Sequence, residues 1–522
     1  MDESILQSVL LLALVSFTMY VTFHFYNNQR RRRPLFTPPS PPALPVIGHL
    51  HLLTDMPHHT FTQLAHKLGP IIHLQLGQVP TVIISSPQLA ELILKTHDHI
   101  FASRPQLIAA QYLSFGCSDI TFSPYGPYWR QARKICVTEL LSSKRVNSFQ
   151  IIRNEETNRM LRMISTHSHS EAGELDMSQV FFALANDILC RVAFGKRFID
   201  HELKEKKDLV SVLTETQALL AGFCLGDFFP DWEWVNSVSG MKRRLMKNLK
   251  DLRAVCEEII QEHVERKGEN SDASSDLVDV LLRVQKRDDL QVPITDDNLK
   301  ALILDMFVAG TDTSAATLEW TMTELARHPS VLEKAQDEVR EIAGNKGKVE
   351  ESDLQHLHYM KAVIKETMRL HPPVPLLVPR ESMEKCTIAD YEIPAKTRIL
   401  INTYAIGMDP ESWTNPLDYN PGRFLEEDVD FRGSQDFRFL PFGGGRRGCP
   451  GYALGLATIE LSLARLLYHF DWKLPAGVAA QDVDLSEIFG LATRKKVALK
   501  LVPTINMLYV SEEEEDLQSA TL

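Results

Sequence analysis

The stretch Phe442-Gly443-Gly444-Gly445-Arg446-Arg447-Gly448-Cys449-Pro450-Gly451 constrains this chain more than any other. One cysteine follows a run of glycines and two arginines, and an apolar helical run begins directly after it. Thiolate is the metal-binding form of cysteine, and a helix N-terminus with nearby cations lowers its pKa. Glycines let backbone amides approach the sulfur where a side chain would obstruct them. A fixed sulfur, amide donors to tune it and dry surroundings are what a thiolate ligand to haem iron needs. The competing reading is an idle buried cysteine in a glycine-rich turn, and the motifs below weaken it.

A second constraint lies at the other end. Ile5 to Tyr26 contains no Asp, Glu, Lys or Arg and is rich in Leu, Val and Phe, long enough to span a bilayer as a helix. Asp2 and Glu3 precede it and Arg30 to Arg33 follow it, so the positive-inside rule leaves the bulk of the chain in the cytosol. A cleaved signal peptide would carry its basic residues before the run and a small-residue cleavage site after it. Residues 1–28 therefore read as a transmembrane anchor. Residues 29–49, with Pro38, Pro39, Pro41, Pro42 and Pro45, read as a basic, proline-rich and semi-rigid hinge.

The seven cysteines are scattered, odd in number and free of C-x-x-C pairs, so neither a disulfide framework nor a zinc site is suggested. A formal charge of -12 argues against a nucleic-acid partner. The pattern between residues 50 and 504 predicts one mainly α-helical catalytic domain with small β-sheets. Its strands are expected at Ile71–Leu76 and Thr81–Ser85, paired as a hairpin, and at Thr397–Thr403 and Val497–Val502. Residues 268–276 read as a polar surface loop, and 505–522 as an acidic, solvated tail.

Thr295 is a helix N-cap signal, and an apolar-periodic run then continues to His328-Pro329. In its middle stand Ala309, Gly310, Thr311, Asp312 and Thr313. Gly310 weakens the helix locally and the Thr313 hydroxyl can bond back to the Ala309 carbonyl, giving a polar notch in a core helix. Glu366 and Arg369 share a helix face, which alone describes a solvated surface pair. Trp129 and Arg133 stand one helical turn apart.

With Phe442, Gly445, Arg447, Cys449 and Gly451 matching F-x-x-G-x-R-x-C-x-G, the chain resembles the cytochrome P450 superfamily, in particular the microsomal plant group of specialised metabolism. The resemblance implies the P450 fold, with a long central helix over haem b and Cys449 as the axial iron ligand. It implies that Thr313 and Asp312 serve oxygen activation, and that Trp129, Arg133, Arg380 and Arg447 hold the haem propionates. Glu366, Arg369 and Arg423 are implied to form a buried triad, with Gly422 departing from the glutamate common there. Implied partners are an NADPH-dependent flavoprotein reductase, the endoplasmic reticulum membrane and a lipophilic terpenoid, alkaloid or phenylpropanoid. Its pocket walls are expected near 103–122, 219–229, 301–309, 374–378 and 489–491, and the aromatic 223–234 segment is expected to face the bilayer. A haem-thiolate isomerase or dehydratase working without reductase, and a non-catalytic haem sensor, are the alternatives.

Overall fold

A computed structural model describes residues 37–506, apart from 171–172, 198–208, 222–223, 233, 266–275, 428 and 432–435, together with Ser16. The expected anchor apart from Ser16, the arginine cluster, most of the polar 268–276 stretch and the acidic tail beyond Asn506 lie outside the described residues.

The elements that matter here are helices α1 (Pro57–Leu68), α2 (Pro127–Ile135), α3 (Met177–Phe194), α4 (Asp296–Arg327), α5 (His358–Leu370) and α6 (Tyr452–His469). The strands are β1 (Ile71–Leu76), β2 (Val79–Ile84), β3 (Arg380–Glu381), β4 (Arg398–Ile401), β5 (Phe470–Lys473), β6 (Glu487–Ile488), β7 (Arg494–Lys495) and β8 (Lys500–Ile505).

Helix α4 starts where the sequence says it should. The Thr295 hydroxyl accepts from the Asn298 amide at 3.1 Å, and the Asn298 side chain accepts from the Thr295 amide at 2.9 Å. This reciprocal cap satisfies two orphan donors, a contribution of about 1 kcal/mol, and Asp296 and Asp297 in the first turn complement the helix dipole. The helix stops before Pro329, which cannot continue it and instead opens the next helix. Its 32 residues make a rod about 48 Å long. Most of them are buried, so the rod crosses the interior and packs lengthwise against α3. Together with α5 and α6 these helices enclose the main core. Gly310 does not interrupt α4: its missing side chain admits Leu189 of α3, which would stand 2.7 Å from a Cβ placed there.

The four-stranded sheet has the order β1-β2-β4-β3, with β1 antiparallel to β2, β2 parallel to β4 and β4 antiparallel to β3. The hairpin turn is only Gly77-Gln78, so β2 starts at Val79, two residues earlier than expected. Gly77 has φ +59°, and a Cβ there would fall 2.4 Å from the Phe228 carbonyl oxygen. Pro80 is tolerated because pairing with β4 begins one residue later, at Thr81. The end of the proline-rich segment lies along β1: the His73 amide donates to the Pro39 carbonyl, and His49 and Gln75 bond each other through their amides.

The last strand is displaced from its predicted place. Val497 is half exposed, and β8 runs instead from Lys500 to Ile505, in register with Leu175–Asp176 and then with β5. Long-range pairing sets this register, and the local run of β-branched residues does not.

Candidate functional site

The Cys449 loop is closed by its own backbone. The Cys449 amide donates to the Phe442 carbonyl at 2.9 Å, and the Gly448 amide to Gly445 at 3.0 Å across a single turn of 3₁₀ helix. Gly445 holds φ +64°, and a Cβ on it would meet the Leu94 carbonyl oxygen at 2.2 Å and Asp98 Oδ1 at 2.5 Å. Only glycine fits, on both counts. Phe442 makes edge contacts with Phe431 and Tyr452, which braces the loop's other end. Gly451 is the N-cap of α6. The exposed surface of Cys449 opens onto an internal cavity, with protein on its other sides. Burial pushes its thiol pKa up, while the Gly451 and Tyr452 amides and the Arg133 guanidinium favour the thiolate.

Above the loop is a mainly apolar cavity of about 460 Å³. All five segments expected to form its walls contribute, among them Leu107, Leu220, Leu304, Val374 and Phe489. Phe223 lies outside the described residues. Trp129, Arg133, Arg380 and Arg447 all border the cavity, but they are engaged differently. Trp129 donates its indole N–H to the Ile120 carbonyl at 2.9 Å, and the Arg447 guanidinium lies 4.1 Å over its ring. Arg133 donates to the Gly448 carbonyl at 2.6 Å, linking α2 to the cysteine loop. Arg380 is paired with Asp98 at 2.9 Å, and Asp98 also holds Arg446 at 2.9 Å.

Three residues of this site escaped the sequence reading. Arg104 is buried beside Arg447 and Arg380 and donates to the carbonyls of Thr121, Val378 and Pro379. Burial and those neighbouring cations hold its pKa well below the usual arginine value, and Arg447 is pulled down to about 9, chiefly by burial. Arg104 is the only charged residue between His99 and Ser118, a signal that was available. Asp305 is likewise the lone acid in the apolar run Ala301–Ala309. Its carboxylate accepts from the Ile120 and Thr121 amides at 2.9 and 3.2 Å and from the Thr121 hydroxyl, tying α4 to the loop above the cavity. Burial raises the pKa of Asp305 and of its neighbour Asp119, and each charge disfavours the other. Asp98 had no sequence signal at all.

On α4, Thr313 borders the cavity and donates to the Ala309 carbonyl at 2.8 Å, as expected. Asp312 does not face the cavity. It is buried on another side of the helix, where its Oδ1 lies 3.7 Å from Arg494 and has no hydrogen-bond partner. The triad forms as expected. Arg369 grips Glu366 through two bonds of 2.7 and 2.8 Å, and Arg423 reaches the same carboxylate at 3.0 Å. Arg369 also donates to the carbonyls of Gly407 and Pro416, and Arg423 to that of Thr414. At Gly422, the carboxamide oxygen of Asn420 accepts the Gly422 amide at 3.0 Å and would crowd a Cβ at 2.9 Å.

The family model described as Cytochrome P450 matches residues 38–500. The chain belongs to the cytochrome P450 family. It is 56% identical to tryptamine 5-hydroxylase of Oryza sativa subsp. japonica over 491 residues, 92% of this chain and 93% of that protein. It is 44% identical to premnaspirodiene oxygenase of Hyoscyamus muticus, over 94% and 98% of the two chains. The fold is similar to that of a zebra fish cytochrome P450 solved with abiraterone, with TM-score 0.73 and 26% identity over 86% of this chain and 99% of that one. The relatives are plant oxygenases, and this P450 is an oxygenase of the same kind. Its residues fit the family's haem. Cys449 offers a sulfur at the cavity floor, and Arg104, Arg133 and Arg447 border the cavity without an ion pair among the described residues, so guanidiniums are at hand for the propionates.

Proposed function

We propose that this P450 is a membrane-bound monooxygenase that hydroxylates an aromatic amine of the tryptamine type, with electrons from NADPH through a flavoprotein reductase. What carries the substrate class is the near full-length similarity to a tryptamine 5-hydroxylase, together with the character of the cavity. Its walls are apolar enough for an indole, and its polar lining includes the buried carboxylates of Asp119 and Asp305 beside the guanidiniums of Arg104, Arg133 and Arg447. A bound ammonium relieves the repulsion between the two carboxylates and favours their charged forms.

Bound haem supplies the reductive activation of dioxygen. The chain's part is to fix the sulfur, exclude water and bring protons to the right place. The Cys449 loop performs the first task through its internal bonds, and the apolar walls perform the second. Thr313 supports the third, because its hydroxyl stands at the cavity wall with lone pairs free to take up a proton as it hands one on. A haem-thiolate isomerase or a haem sensor has no use for a hydroxyl at that point.

Residues 1–28 are proposed as the single anchor in the endoplasmic reticulum membrane, with the catalytic domain in the cytosol. The uncharged run followed by four arginines supports this. So do Leu225, Trp234 and Val238, exposed apolar side chains close in sequence to the cavity wall.

The test is turnover of the full chain with reductase on tryptamine, on its neutral alcohol counterpart, and on terpenoid and phenylpropanoid panels. Tryptamine is expected to gain one oxygen with matching NADPH and oxygen use, and kcat/KM is expected to exceed the neutral counterpart's by roughly tenfold, about 1.4 kcal/mol. Equal turnover of both would remove the amine from the reading, and no NADPH-dependent product from any compound would remove the monooxygenase. In the same reactions Thr313→Ala should keep most of its NADPH consumption while product falls and hydrogen peroxide accumulates, since acid–base assistance is worth about 10²–10⁴ in rate. Thr313→Ser should lie between the two, and unchanged coupling in the alanine variant would reduce Thr313 to a helix residue.

A further inference from the structure

Three histidines and a glutamate from distant parts of the chain converge beside the cavity, outside the machinery described above. His58 and His59 stand at the start of α1, and each brings its Nε2 to the same oxygen of Glu487 on β6, at 3.0 and 3.1 Å. The ligating atoms of these three residues all lie within 4.8 Å of one another. His371, just past the end of α5, holds its Nδ1 3.9 Å from the other oxygen of the same carboxylate. His58 is 1% exposed. The His59 side chain, 40% exposed, leaves a way in from solvent.

Hydrogen bonding accounts for only part of this arrangement. Glu324 on α4 accepts from Arg327 at 2.9 Å, and despite burial its bonds to His328 and His371 hold it well below the usual carboxylate range. A carboxylate can only accept, so the His371 Nε2, 2.7 Å away, carries a proton and donates it. The nitrogen left over is Nδ1. It is buried, has no hydrogen-bond partner, and faces Glu487 across a gap too long for a hydrogen bond. A lone pair turned towards a carboxylate calls for a cation between them. A proton is the rival occupant, since Glu324 and Glu487 raise the His371 pKa against the effect of burial. A proton on Nδ1 leaves the contact unmade at 3.9 Å, whereas a metal ion spans it.

The spacing and the charge states both suit a metal. Two ligands on a tetrahedral zinc ion, with bonds of about 2.0–2.1 Å, stand about 3.3 Å apart. The separations of 3.0, 3.1 and 3.9 Å bracket that value. Burial keeps His58 below its ordinary pKa, and neutral imidazole is the form that ligates. Despite burial, its histidine neighbours hold Glu487 well below the usual carboxylate range. The bond from His371 to Glu324 is the outer support typical of a metal-bound histidine. Stacking on Trp320, with ring centroids 4.0 Å apart, fixes the orientation of that ring.

We propose that His58, His59, His371 and Glu487 form a binding site for a divalent transition-metal ion, zinc by its three nitrogens and one carboxylate. The ion ties α1, the end of α5 and β6 together at the cavity wall, where Pro57 and Phe61 of α1 and Phe489 after β6 stand. It is a structural staple without redox chemistry, and the inference does not depend on the monooxygenase reading.

The test uses the full-chain, haem-loaded protein, stripped with a chelator and then titrated with zinc chloride. One zinc per haem is expected. X-ray absorption at the zinc edge should show nitrogen and oxygen neighbours at about 2.0 Å, imidazole rings among them and no sulfur. Zinc should raise the urea midpoint of the unmodified protein. His59→Ala, at a partly exposed position, should weaken zinc binding by roughly tenfold or more and lose that rise. His371→Ala should do the same, and if it fails to fold, His59→Ala and the zinc spectrum of the unmodified protein decide. No stoichiometric zinc, a shell containing sulfur, or a midpoint indifferent to zinc overturns the proposal. So does unchanged binding in His59→Ala, which would put the ion elsewhere, with His263, Asp276 and Asp279 the other candidate cluster among the described residues.

Discussion

Cys449→Ser is expected to abolish the red-shifted Soret band of the ferrous carbon monoxide complex, and product formation with it. Serine keeps the size of the side chain and the loop's backbone bonds, including the Cys449 amide to Phe442. It removes the ligand that can ionise, because an alcohol is far harder to deprotonate than a thiol. The other cysteines provide the contrast. Burial raises the pKa of Cys136 and Cys256 to about 12 and that of Cys386 to about 11. Cys449 is buried too, yet two amides and an arginine oppose that burial, and it alone of these opens onto the cavity floor. Cys136→Ser, Cys256→Ser and Cys386→Ser should therefore retain the band. A Cys449→Ser protein with an intact band and turnover would refute the assignment.

Glu366→Gln is expected to be nearly as damaging, for a reason of stability. Glu366 is completely buried and accepts from Arg369, Arg423 and the Asn420 amide. Neutralising it leaves two guanidiniums without their counter-charge, one of them fully enclosed. Removing one partner of a buried ion pair costs about 3–5 kcal/mol. That is a large share of the 5–15 kcal/mol typical of a folded protein. The variant should express with little carbon monoxide band and unfold at markedly lower urea. The carbonyls of Gly407, Pro416 and Thr414 would lose their fixed donors, so the segment leading to Arg423 would loosen as well. A holoenzyme with an unshifted urea midpoint would mean that the pair adds only geometry.

Much of this site was legible in the chain because its signals are local. The glycine spacing around Cys449, the Thr295 cap, the proline after α4 and the three-residue step from Glu366 to Arg369 each act within a turn or two. The parts that escaped depend on distant partners. Asp98 matters because it meets Arg380 and Arg446, and nothing near residue 98 announces that. The resemblance pairs Asp312 with Thr313, and the structure adds that Asp312 stands off the cavity, 3.7 Å from Arg494, because a helix turns about 100° per residue and adjacent side chains need not share a face. Gly310 read as a weak point, whereas it is where Leu189 of α3 packs against α4. The final strand slipped from 497–502 to Lys500–Ile505 because its register belongs to β5.

The crowding of Asp98, Leu94 and Gly445 also has a bearing on the order of assembly. The cysteine loop cannot take its final shape until residues 94–98, Arg380 and Arg446 have met, and these are spread over more than three hundred positions of sequence. Contacts so far apart form late in folding. The wall at Phe489–Leu491 is synthesised later still. A ribosome that has made the first four-fifths of this protein therefore holds an open apolar cleft that still lacks Cys449. Haem capture becomes the closing event of biogenesis, and chains starved of haem should accumulate as exposed, chaperone-bound intermediates.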